Sequence, residues 1–169
     1  SITEAYEKYL KGKYIYRNRK KPEDINRCQK LIEEALELDP NLLKANIVLA
    51  ETYYYNGEYN KAINTYKQCL NKSEELKRKK EAGRCLNGIG NVLFEKGDYK
   101  ESLDFQKKAL QIREQIDDVK GLGYSLNAVG NLYQAMNELD QSLIYLKKAY
   151  DIRKLLANTS PGKTLEGLI

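Results

Sequence analysis

The sequence predicts an all-α fold, a superhelical solenoid of stacked helical hairpins. Three observations predict it. Only three prolines occur in 169 residues, which suits a helix-dominated chain because proline breaks helix interiors. The sequence repeats itself at a fixed shift. Small residues recur at three places in every repeat.

The repeat is clearest between residues 83–122 and 123–162, a shift of 40. Gly83/Gly123, Leu86/Leu126, Asn87/Asn127, Gly90/Gly130 and Asn91/Asn131 coincide. So do Ser102/Ser142, Leu103/Leu143, Lys107/Lys147, Ala109/Ala149, Ile112/Ile152 and Arg113/Arg153. The same shift backwards puts Ala50, Ala62 and Cys69 under Gly90, Ser102 and Ala109. One unit further upstream fits with a turn four residues longer, where Gly12, Cys28 and Ala35 take those places. All twelve positions hold Gly, Ala, Ser or Cys, and only small side chains let two helices approach closely. Cys28 and Cys69 are thereby read as packing residues. The expected units are 3–41, 42–82, 83–122 and 123–161, with a truncated fifth over 162–169.

Each unit reads as two helices with apolar residues at helical spacing. The first contains the long turn Arg17–Ile25, and Asp39-Pro40 stops its second helix. Buried faces are expected at Leu49, Tyr53, Ile63 and Tyr66 in the second unit. In the third they are Ile89, Leu93, Leu103 and Leu110, and in the fourth Val129, Tyr133, Leu143 and Leu146. Asn56-Gly57, Lys96-Gly97 and Met136-Asn137 lie between paired helices, where Gly or Asn supplies the left-handed residue that ends a helix. Tyr59, Tyr99 and Leu139 follow two residues later and are expected to staple those turns.

This pattern resembles the tetratricopeptide repeat (TPR) family, whose signature is Leu-Gly-x-x-Tyr, then Ala-x-x-x-Phe, then Pro. Here it stands as Leu49-Ala50-x-x-Tyr53 with Ala62-x-x-x-Tyr66, and as Val129-Gly130-x-x-Tyr133 with Ser142-x-x-x-Leu146. The third unit departs from it, with Gln106 where the aromatic belongs. Ala5 through Tyr14 and Ala35 through Asn41 look like the first repeat of arrays attached to bacterial adenylate or guanylate cyclases and to transcriptional regulators. The resemblance implies a right-handed solenoid with the first helix of each hairpin on the concave side, and a protein- or peptide-binding scaffold within a longer signalling protein.

The binding surface is expected on that concave side. Asn87 and Asn91 lie four apart on one helix face, as do Asn127 and Asn131. Both pairs flank a packing glycine, so they are expected to turn away from the hairpin partner and into the groove. An amide both donates and accepts, which suits a peptide backbone of any sequence. In peptide-binding TPR proteins asparagines at equivalent places do this, so the resemblance implies it here. The competing reading has these amides bracing the interior or facing water. Lys44, Glu51, Tyr54, Tyr55, Arg84, Phe94, Tyr124 and Gln134 are the neighbouring groove candidates. Arg84 suits a carboxylate, although Glu51 on the same face argues against a C-terminal carboxylate clamp.

Other chemistry finds little footing. The chain has no histidine, so Ser-His-Asp and Cys-His catalysis are excluded. Cys28, Cys69 and Cys85 are odd in number and contain no Cys-x-x-Cys pair. That disfavours a zinc site or disulfide framework and fits a reducing, cytoplasmic setting. No catalytic residue, metal or cofactor is expected. Ala157–Thr164 mimics a phosphate-binding loop but lacks the strand such a loop needs. No apolar run approaches the roughly 20 residues of a membrane helix. Net charge is +5, concentrated in Arg17–Lys21 and Lys77–Lys80. Without interleaved aromatics this disfavours nucleic acid, although an RNA-binding helical repeat stands as one alternative. The others are the regulatory fragment of a cyclase or other multidomain enzyme, and a self-associating module.

Overall fold

The computed structural model describes residues 1–159. Among them the backbone forms eight α-helices: α1 Ile2–Arg17, α2 Pro22–Leu38, α3 Leu43–Tyr55, α4 Tyr59–Glu75, α5 Lys79–Glu95, α6 Tyr99–Gln115, α7 Val119–Ala135 and α8 Leu139–Thr159. The expected fifth unit and the loop-like Ser160–Thr164 lie outside the described residues.

Local chemistry sets the boundaries. Ser1 caps α1, its Oγ accepting from the Glu4 N–H at 3.3 Å. Pro22 opens α2, where its fixed φ suits the first helical position. Asp24 accepts from the Lys20 and Lys21 backbone N–H groups at 3.0 and 3.2 Å. The turns after α3, α4, α5, α6 and α7 share one device. Gly57, Lys77, Gly97, Asp117 and Asn137 each adopt positive φ, from 53° to 82°. The next N–H then reaches a carbonyl five residues back, as in Glu58 to Tyr53, Arg78 to Ser73 and Glu138 to Tyr133.

Two of these turns differ from expectation. Lys77 and Asp117 end helices without the glycine or asparagine that would have flagged them. The first turn is also shorter than expected, because α1 runs to Arg17 and α2 starts at Pro22. Arg19 holds it down, its guanidinium 4.3 Å from the Tyr16 ring centre and 4.8 Å from that of Tyr55. The 40-residue period arises because α5, α6 and α7 are 17 residues each.

Each helix packs against the next in sequence, and α1, α3, α5 and α7 also touch in order. Among the described residues no two even-numbered helices touch. The stack therefore curves towards its odd-numbered helices, which line the concave side. The expected small residues stand at the hairpin contacts. A Cβ on Gly12 would lie 2.9 Å from Ile32 Cδ1, one on Gly90 2.6 Å from Gln106 Nε2, and one on Gly130 2.7 Å from Leu146 Cδ2. Cys28, Ala35, Ala62, Cys69, Ser102, Ala109, Ser142 and Ala149 are buried.

The buried faces need one correction. Tyr66, Ile89, Leu93, Val129 and Tyr133 are buried, but Leu143 is 67% exposed. Its counterpart Leu103 is half-buried on α6, which packs against both α5 and α7, whereas α8 packs only against α7 among the described helices. Leu139 is exposed as well. Tyr59 and Tyr99 do meet a ring from the preceding helix, Tyr54 at 6.1 Å and Phe94 at 5.4 Å.

Candidate functional site

The four asparagines share one cleft between α5 and α7, of about 290 Å³. Asn87 and Asn91 come from α5, Asn127 and Asn131 from α7, and Tyr54, Phe94 and Tyr124 form its walls. Helical spacing places each pair on one face.

The expectation that all four turn away from the hairpin partner is corrected for three of them, Asn87 and Asn91 by Gln106 on α6 and Asn127 by Arg153 on α8. Asn87 Nδ2 donates to Gln106 Oε1 at 2.5 Å. Gln106 Nε2 donates to Asn91 Oδ1 at 2.8 Å and to the Asn87 carbonyl at 3.1 Å. Gln106 belongs to α6, the hairpin partner, and is 1% exposed. A buried amide needs hydrogen-bond partners, and the two asparagines beside Gly90 supply them. Asn91 Nδ2 and Asn87 Oδ1 carry no bond to described residues.

The fourth unit differs by one substitution. Leu146 stands where Gln106 stands in the third, so it asks nothing of the asparagines. Asn131 is exposed and makes no side-chain hydrogen bond among the described residues. Asn127 accepts from Arg153 Nη2 at 2.6 Å. The corresponding Arg113 behaves otherwise, because α7 follows it. Its Nη1 bridges to the Gly121 carbonyl and to Ser125 Oγ.

A wider cleft of about 670 Å³ continues from Tyr54, Asn87, Asn91 and Tyr124 towards α1. Glu51 and Arg84 line it as an ion pair at 3.2 Å. Burial pushes the Glu51 carboxyl above its ordinary range, while Arg84 opposes the shift. Arg84 is thus already matched by a carboxylate.

Three sequence candidates are not brought together with the rest. Lys44 lines a separate depression with Tyr6, Asn41 and Arg78. Tyr55 is exposed beneath Arg19, and Gln134 is exposed on α7 without lining either cleft. Sequence reasoning in turn missed Gln106, Glu95, Lys13, Lys80, Arg113 and Lys120 as lining residues. Gln106 alone left a signal, as the departure from the aromatic pattern. The thiols stand apart from both clefts, and burial pushes the Cys28 thiol up to about 12.

A family model described as tetratricopeptide repeat matches residues 81–154, and a second of the same description matches residues 47–80. Comparison with curated protein sequences gives no match. Among solved structures, BtubC (BKLC) from P. vanneervenii superposes with a TM-score of 0.69 at 16% identity, covering 81% of this chain and 59% of that one. The TPR domain of Arabidopsis FLU gives 0.63 at 20% identity, covering 67% of this chain and 95% of that one. Aspartyl phosphate phosphatase F from Bacillus subtilis gives 0.82 at 17%, covering 94% of this chain and 42% of that one. The chain thus spans less than two thirds of BtubC and of the phosphatase, and at these identities the likeness is one of fold.

Proposed function

The chain belongs to the tetratricopeptide repeat family, and from that premise we propose that its concave face binds an extended segment of another protein. The family is a non-catalytic repeat scaffold that serves interaction, so function is sought in a surface. One observation carries the reading. Asn91, Asn127 and Asn131 line one cleft, and each keeps an Nδ2 amide without a partner among the described residues. Amides spaced along a groove suit the carbonyls and N–H groups of an extended chain, and Tyr54, Phe94 and Tyr124 offer walls for its side chains. We place this scaffold in a longer cytoplasmic signalling protein. Three buried free thiols are consistent with a reducing setting.

The test is to pan a short random-peptide display library against the wild type. Selected peptides are then titrated against Asn91→Ala plus Asn131→Ala. Gln106 retains the Asn87 carbonyl in that variant, so helicity should be unchanged. The expected result is a loss of about tenfold or more in affinity, as two lost hydrogen bonds imply. Equal affinity at unchanged helicity would reject the reading.

Self-association has one observation in its favour, the exposed Leu139, Leu143, Ile144, Tyr150 and Leu155 on α8. Light scattering over a concentration series separates it, since a monomer throughout removes it.

A further inference from the structure

The wider cleft is strongly unbalanced in charge. Lys13, Arg17, Lys80, Arg84, Arg113 and Lys120 line it against Glu51 and Asp118. Both carboxylates are engaged. Glu51 pairs with Arg84 at 3.2 Å, and Asp118 caps α7 through the Gly121 N–H at 3.1 Å. Among the described residues, Lys13, Arg17, Lys80 and Lys120 have no carboxylate within ion-pair distance. Low-dielectric walls around one sign of charge concentrate its field.

Arg113 supplies an independent observation. It is 4% exposed, yet its hydrogen bonds go only to neutral groups, the Gly121 carbonyl and Ser125 Oγ. Its Nε has no hydrogen-bond partner. A buried cation is costly when its nearest carboxylate, here Asp118, acts on it only from beyond ion-pair distance, and Arg113 borders the cleft where four further cations lack a carboxylate partner.

We propose that this cleft receives an acidic stretch of the bound polypeptide, with carboxylates seated between Lys13, Lys80, Arg84 and Lys120. The proposal rests on the peptide-groove reading and adds the chemistry of the partner. The asparagine cleft would hold backbone, and the adjoining basic cleft would select side chains. A nucleic acid fits less well, because Glu51, Glu95 and Asp118 interrupt the two clefts where a continuous phosphate backbone would run.

The test titrates the full 169-residue chain with three probes of equal length. One is a peptide alternating serine and glutamate, the second has glutamine for every glutamate, and the third is a single-stranded RNA. The glutamate peptide should bind about tenfold tighter than its glutamine twin, and the preference should shrink with added salt. Lys80→Glu plus Lys120→Glu should bring the ratio near one. Both lysines are exposed, so folding is not at stake. Equal binding of the two peptides, or tighter binding of RNA, would overturn the proposal. If display-selected peptides bind but the glutamate peptide does not, the acidic preference falls and the groove reading survives. If no peptide of any kind binds, both fall.

Discussion

Gln106 on α6 donates from Nε2 to Asn91 Oδ1 on α5 at 2.8 Å, so a side chain filling the hairpin interior also sets the rotation of a groove amide. Packing and the proposed recognition therefore share one residue. Gln106→Leu, which copies Leu146 of the next hairpin, should change stability by no more than about 1 kcal/mol, because the half-exposed asparagines can turn to water. Peptide affinity should nevertheless fall as Asn91 loses its orientation. Gln106→Ala should cost about 2–4 kcal/mol through the cavity it leaves. Urea unfolding beside peptide titration separates the two effects.

The glycines should rank by what faces them. A Cβ on Gly88 would lie 2.3 Å from the buried Tyr66 ring, which is rigid. A Cβ on Gly90 would meet the flexible end of Gln106. Gly88→Ala should therefore destabilise by about 1–3 kcal/mol. Gly90→Ala should cost less, because the Gln106 side chain can shift where the Tyr66 ring cannot, while alanine regains up to about 1 kcal/mol of helix propensity at both positions. Thermal unfolding of the two variants gives the order.

The three cysteines should be inert in the folded chain, Cys69 through its burial alone, because a hydrogen bond with Cys85 lowers its thiol. Burial raises the Cys28 thiol to about 12, so it carries almost no thiolate at neutral pH. Iodoacetamide at pH 8 should leave all three unmodified in the native protein and modify all three in urea, as mass spectrometry would read. Rapid native labelling of Cys28 would contradict its placement.

Asp24 should give acid sensitivity to the first hairpin. Backbone N–H donors at Lys20 and Lys21 hold its carboxyl below the ordinary value of 3.8. A depressed folded value contributes stability above the unfolded pKa and loses it as pH falls through the folded one. Asp24→Ala should lower the urea midpoint at pH 7, and the difference from wild type should close by about pH 2.

The repeat was legible because close helix approach demands small side chains, a local requirement that Gly90, Ser102 and Ala109 state directly. Gly57, Gly97 and Asn137 announced their turns for a similarly local reason. Lys77 and Asp117 did not, since the same backbone is reached there by residues that carry no such preference. The orientation of Asn87 and Asn91 was hidden because it depends on Gln106, a residue on the facing helix. Leu143 was misplaced because its periodicity matches Leu103 while its neighbours do not. The basic cleft gathers Lys13, Lys80 and Lys120 from three helices, and no spacing along the chain records that.

The most direct measurement follows the side-chain amides of Asn91 and Asn131 by NMR in the uniformly 15N-labelled chain while a display-selected peptide is added. The Nδ2 resonances of both should shift and saturate together at the affinity measured by calorimetry. Saturable binding that leaves both amides unmoved and perturbs only the outer helices α4, α6 and α8 would contradict a concave asparagine groove.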